Sequence, residues 1–247
     1  MHEIALATKS ILFGHIAIVK FPRRERCSNM SGLKLGTFLL CCAISSRAVL
    51  AQMDARDVAT KKYEAYKTRV IAGDLNIDWR DFRLAAALGE VSQGFDWFTV
   101  HKQFVDDLAA GRYEKALAEA QTDIDHNMAY GEGHLFAMTV LLKMGRNEEA
   151  KEQEAILNAI GKSIMESGDG SSAETAWFTV APSETVFFMT EALGGQIKGQ
   201  ELVHVNGHAY DKLTVLDRQG NSRVVWFNTD TNELNKERAM HPKVAPQ

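Results

Sequence analysis

Between residues 54 and 167, apolar side chains recur every three or four positions, the mark of helices that bury one side. Val58, Ala59, Tyr63, Tyr66, Val70 and Ile71 form the first stripe, over 54–72, and Gly73 with Asp74 closes it. Asp78 then stands as an N-cap, with Asp81 three residues on as an incomplete capping box. The helix it opens turns Trp79, Phe82, Leu84, Ala85 and Leu88 inward, and a loop over 89–96 follows. The last helix of this half spans 147–165, with Ala150, Ala155, Ile156, Ile160 and Ile164 inward. After Gly168 the period changes. A strand over 176–181 leads to a helix opened by Pro182 and Ser183, which runs through Val186, Phe187, Met189 and Leu193 to Gly194. Strands over 201–205 and 208–216 flank Asn206-Gly207, a favoured two-residue hairpin turn, and a last strand covers 223–228. The polar tail from Thr229 is expected to fray. The pattern predicts an α+β fold: antiparallel helical hairpins (54–167) packed on a small, mainly antiparallel sheet with one helix (168–230), and a flexible tail over 231–247.

Within the helical half one unit occurs twice. Leu108, Gly111, Arg112, Glu114 and Ala116 are answered by Leu142, Gly145, Arg146, Glu148 and Ala150, at a constant offset of 34 residues. Glycine suits the left-handed residue that ends a helix, and the alanine five positions later lies where the next helix approaches closely. On Gly111-x-Tyr113-x-x-Ala116 and Gly145-x-x-x-x-Ala150 the segment resembles tetratricopeptide repeats. Phe104 and Met138 depart from that pattern, standing where it has small residues, and Met128 stands where it often has proline. Two repeats are too few to close a core, so the earlier helices and the C-terminal half must cover their open sides in one body. In such repeats the first helix of each pair lines a groove, which points to His101, Val105, Leu135, Thr139 and Lys143 as a partner-binding face.

The first 51 residues stand apart. Lys34 follows Met30 closely, an apolar run covers 35–44, and Val49-Leu50-Ala51 fits a signal-peptidase cut before Gln52. The run is about half of the ~20 residues a membrane span requires. Residues 1–29 read as a misplaced start and 1–51 as leader and signal peptide, so the expected location is the periplasm or the cell exterior. Removing 1–51 takes seven of the 28 basic and two of the 32 acidic residues, leaving 21 and 30 and a net charge near −9. That balance argues against nucleic acid. All three cysteines (Cys27, Cys41, Cys42) lie in the leader, so the remainder has neither disulfides nor a thiol nucleophile.

Gly-Asp-Leu-x-Ile-Asp over 73–78, Ser-Gly-Asp-Gly-x-Ser-x-Glu-Thr-Ala over 167–176, Asn206-Gly-His-x-Tyr-Asp211 and Trp226-Phe-Asn228 together resemble an exported bacterial family known as domain of unknown function 4919. The resemblance spans about 55–230. Ser171 departs from the expected lysine, and 89–98 lacks the expected proline- and tyrosine-rich segment. It implies export and fold, and no reaction.

Chemistry is thinly represented. His204 and His208 have metal-like spacing, but the hairpin sends them to opposite faces of the sheet. His204 and Asp211 share a face diagonally, and Asp169 with Glu174 forms a carboxylate pair suited to proton transfer or a hard cation. The plainer reading is a surface histidine, and acids that cap a turn. Asn228, Asp230 and Asn232 imitate a calcium loop but lack its glycine and its bidentate glutamate. Phosphate-loop, nucleophile-elbow and zinc-protease motifs are absent from the sequence. Neither metal nor cofactor is expected. Three readings follow: a non-catalytic protein of the envelope holding a peptide or protein partner, a hydrolase-like enzyme using Asp169, Glu174, His204 or Asp211, and a small-ligand or glycan module.

Overall fold

A computed structural model describes residues 55–89, 91 and 95–240, without the side chains of 238–240. The expected leader and the expected cleavage point before Gln52 lie outside the described residues. The described residues form one compact unit.

Six helices come first: α1 (described over 55–71), α2 (Trp79–Leu88), α3 (Trp97–Ala109), α4 (Tyr113–His126), α5 (Gly131–Lys143) and α6 (Asn147–Met165). The Asp78 carboxylate caps α2 by accepting the Asp81 N–H at 2.9 Å, as the sequence predicts. Asp81 does not return the bond; it accepts from Tyr66 Oη at 2.9 Å and pairs with Lys62. Asp96 caps α3 through the N–H and hydroxyl of Thr99.

The two repeated turns have the same geometry. Gly111 and Gly145 take φ of 72° and 75°, and the N–H of the next residue reaches back to a carbonyl in the last helical turn. Arg112 N bonds Asp107 O at 2.8 Å, and Arg146 N bonds Leu141 O at 2.9 Å, the 6→1 bond of a Schellman cap. Ala116 and Ala150 follow, 0% and 2% exposed, both bonded to the arginine carbonyl at 3.1 Å. Gly73 closes α1 in the same way, with Asp74 N on Arg69 O at 2.9 Å. Three successive hairpins result.

Several side chains expected inside are outside. Val58 and Ile71 are 62% and 68% exposed, because the packed stripe of α1 is Ala59, Tyr63 and Val70, and each neighbour in sequence sits ~100° further round. Ala155 is exposed for the same reason, ~140° from Ile160 on α6.

The C-terminal half holds a four-stranded sheet in the order β1 (Trp177–Phe178), β4 (Ser222–Asn228), β3 (His208–Leu216), β2 (Gln196–Val205). The hairpin register is as expected, Val205 opposite His208, with Asn206 and Gly207 at φ of 52° and 85°. Three expectations are corrected. The first strand covers two residues instead of 176–181 and runs parallel to β4, so the sheet is mixed. β2 begins at Gln196, five residues early, and carries a register shift between Ile197 and Gly199. Of the expected fraying tail, 230–240 form helix α8 (Asp230–Met240), held where Asn235 donates to Ala87 O of α2 at 3.1 Å, and 241–247 lie outside the described residues. Between β1 and β2, α7 (Pro182–Phe187) passes into a π turn over Phe188–Ala192, with Val186 49% exposed.

One face of the sheet (Leu213, Val215, Val225, Phe227) meets Trp177, Phe188 and Met189, and this group is continuous with Tyr63, Phe82, Phe104, Phe136, Ile160 and Ile164 of the helices. Through this shared core runs one ion pair. Arg83 Nη1 of α2 donates to Glu184 Oε2 of α7 at 2.7 Å, with the two side chains 0% and 1% exposed.

Candidate functional site

The four carboxylate and histidine candidates do not form one set: Asp169 and Glu174 share a turn, and His204 and Asp211 lie on the sheet. Asp169 Oδ1 accepts the Ser171 N–H at 2.9 Å and the Thr175 hydroxyl at 2.6 Å, which hold its carboxyl down at about 2. The Ser172 hydroxyl likewise lowers Glu174. Both acids tie down the 167–176 turn, whose Gly170 carbonyl accepts from Trp226 N of β4. His204 lies on β2, two strand spacings (~10 Å) from β4. It is exposed and paired across the hairpin with Ala209, while His208 points to the other face. Asp211 is 7% exposed and raised by burial; the groups that act on it are Gln200, Lys236 and Glu233, and His204 is not among them. These residues do not converge on a common cleft. Among the described residues no group of three or more His, Cys, Asp or Glu could hold a metal ion.

A histidine–carboxylate pair does form, elsewhere. His208 Nδ1 lies 2.7 Å from Asp230 Oδ2, and Asp230 Oδ1 accepts the Ala209 N–H. The pair is exposed and fastens the hairpin to the start of α8. The two residues are 22 apart, and the second lies where the sequence suggests only a tail, so no local signal joins them.

The predicted groove face is made by α3 and α5, the first helices of the two repeats. His101, Val105, Leu135 and Thr139 are half-buried, and Lys143 is exposed. The Thr139 hydroxyl is spent on Leu135 O. The upper end is partly filled: Trp97 packs on His101 with ring centroids 4.6 Å apart, and His101 meets Phe136 edge-on at 5.1 Å. Of the neighbouring aromatics, Phe95 stacks on His126 at 4.0 Å, whereas Phe98 is 66% exposed.

At this end lie acids that sequence reasoning missed. Glu132 continues the Leu135 and Thr139 stripe one turn toward the start of α5. Burial first, then the charges of Asp123 on α4 and Glu191 on the π turn, push Glu132 up to about 8. Burial alone lifts Asp123 to about 6, and it raises Glu191 as well. The Trp97 indole N–H leans toward Glu132 and favours its ionised form, at a geometry short of a full hydrogen bond. Helical spacing puts Glu132 on the groove stripe, a signal present in the sequence; the approach of Asp123 and Glu191 required the fold.

A cavity of about 400 Å³ opens between the α1–α2 connection and the last turns of α6. Asn76, Asp78, Arg80, Lys162, Ser163 and Ser167 supply its polar wall. Two of the segments that carry the family resemblance, 73–78 and 167–176, thus meet at one opening, a volume in the range of small-ligand pockets. Comparison with protein families, with characterised proteins and with solved structures gives no match.

Proposed function

We propose that the protein is a non-catalytic binding or scaffold protein that holds a peptide or protein partner along the first-helix face of its repeats. The observation behind the reading is the paired turn geometry at Gly111 and Gly145, which sets α3 and α5 in equivalent positions with one half-buried face each. The dispersal of Asp169, Glu174, His204 and Asp211 supports binding over hydrolysis. The leader and the resemblance to domain of unknown function 4919 add a location, the bacterial envelope or its exterior. Among the described residues no helix is long and apolar enough to cross a membrane.

The test is selection of a random twelve-residue peptide library on the full chain, followed by affinity measurement against Thr139→Arg and Lys143→Glu combined. Recovered peptides should lose at least ten-fold in affinity for the double variant. Failure to recover any peptide, or unchanged affinity, removes the groove from consideration. A second reading, a small polar ligand, is favoured by the cavity between α2 and α6. Thermal-shift screening with sugars and amino acids, repeated on Arg80→Ala, tests it.

A further inference from the structure

We propose that the cavity between α2 and α6 takes a small organic acid, with its carboxylate on the Arg80 guanidinium and a second oxygen acceptor toward Ser163. This rests on the second reading above, a small polar ligand, and adds the chemistry of that ligand.

The charges in the cavity wall are not equivalent. Asp78 is engaged as the cap of α2, its Oδ1 accepting the Asp81 N–H at 2.9 Å. Lys162 and Glu166, one turn apart on α6, face each other at 3.6 Å. Arg69, which donates to the Asn76 carbonyl of the wall, is paired with Asp74, and Arg83, the other cation of α2, with Glu184. Arg80 is the exception: among the described residues no ion pair includes it. Its guanidinium is nevertheless held in place, with Cζ 4.6 Å from the centre of the Phe178 ring. The Phe178 N–H donates to Ser167 Oγ at 2.7 Å, and Ser167 lines the cavity, so the ring carries the Arg80 head to the cavity edge. A guanidinium laid on an aromatic face keeps its N–H edge free for the two oxygens of a carboxylate, and little freedom is left to lose on binding.

A second observation comes from behind the wall. Ser163 Oγ, also at the cavity, accepts Arg83 Nε at 3.0 Å and donates to Ile160 O at 2.7 Å. Nε and Nη2 form one edge of the guanidinium with parallel N–H bonds, so Nη2 faces the same wall. Nη2 has no hydrogen-bond partner, and the Arg83 side chain is 0% exposed. Buried polar groups are normally satisfied, so a donor left over at this wall calls for an acceptor oxygen. Ser163 and Ser167 stand four residues apart on α6, ~6 Å along the axis. An acid of about four or five carbons with an oxygen at each end covers that distance.

Calorimetric titration of the full chain with succinate, glutarate, butyrate, succinamide, inorganic phosphate and glucose tests this. Succinate or glutarate should bind at least ten-fold more tightly than butyrate, which lacks the second acceptor, and than succinamide, which lacks the charge. Arg80→Lys keeps the charge but not the planar fork, and should weaken the diacid at least ten-fold; Arg80 is exposed, so the melting temperature should hold. Ala159→Phe, which fills the cavity from α6, should abolish binding, and the Arg80 variant keeps the test decisive if that one folds poorly. Succinamide or butyrate binding as well as succinate, phosphate binding more tightly than either diacid, or diacid affinity unmoved by Arg80→Lys overturns this inference. Glucose or succinamide bound in a manner lost in Ala159→Phe leaves the cavity reading standing without it. Absence of any cavity-dependent ligand overturns both.

Discussion

Removing Arg83 leaves the Glu184 carboxylate buried with a single donor, the Val180 N–H at 2.8 Å. The variant Arg83→Met keeps the volume and deletes both the ion pair and the bond from Arg83 Nε to Ser163 Oγ. An isolated buried carboxylate escapes its penalty by taking up a proton. That uptake sets the scale: with an ordinary glutamate value of ~4.3, protonation at pH 7 costs about 3.7 kcal/mol, and at pH 5 only about 1. The lost charge-assisted bond to Ser163 adds about 1.5–3 kcal/mol at either pH. In the variant the folded-state value lies above the unfolded one, so stability is retained below ~4.3 and lost as pH rises through the folded value. The shortfall against the parent should therefore grow by about 2.7 kcal/mol between pH 5 and pH 7. Glu184→Met behaves differently. It strands a guanidinium that cannot shed its proton, so about 3–5 kcal/mol is lost at both pH values. Against a total of ~5–15 kcal/mol for a typical domain, either single change is severe. Combining Arg83→Met with Glu184→Met should return stability to within about 1–2 kcal/mol of the parent, since an apolar pair of matched volume replaces a desolvated ion pair. Urea melts of the four proteins at pH 5 and pH 7 give the cycle. Single-variant losses below about 1 kcal/mol with additive effects in the double variant would show that the pair does not join α2 to α7 energetically.

Gly111→Ala and Gly145→Ala should each cost about 1–2 kcal/mol, and equally, because both residues sit at positive φ with nothing within 4 Å of an added Cβ; asparagine at either position should recover part of the loss in chemical denaturation. Ala150→Leu, at a position 2% exposed, should cost about 1–3 kcal/mol by overpacking, and more than Leu at exposed Ala155. The Glu132 carboxyl, raised to about 8, contributes stability that is complete below its unfolded value and fades as pH climbs through the folded one. Melts of Glu132→Gln should accordingly show a gain at pH 9 and little change at pH 4. Asp169, held at about 2, has the reverse sign: its contribution stands above the unfolded value and falls away as pH drops toward 2. Asp169→Asn should remove that acid limb and loosen the 167–176 turn, read by amide exchange at Ser171.

The elements whose determinants are local could be read along the chain. Gly73, Gly111 and Gly145 stop helices because a left-handed residue is needed there, Asp78 caps α2, and Asn206-Gly207 makes the hairpin. The opposed faces of His204 and His208 follow from a two-residue period alone. Helical period also finds the faces of α3 and α5, including the stripe on which Glu132 falls. It does not say what stands opposite. The parallel docking of β1 on β4, the anchoring of α8 by Asn235 to α2 and the insertion of Arg83 against Glu184, 101 residues away, join segments whose own sequences carry no mark of each other. Arg83 is the sharpest instance: on a helical wheel it is a polar residue beside an apolar stripe, and only packing of α6 and α7 around it leaves it 0% exposed. The same holds for the acids near the start of α5, where burial and the charges of Asp123 and Glu191, from other chain segments, push the Glu132 carboxyl up to about 8 and so favour its neutral form. Local backbone preference is written residue by residue; the burial of charge is decided by whichever surfaces the closed core happens to press together.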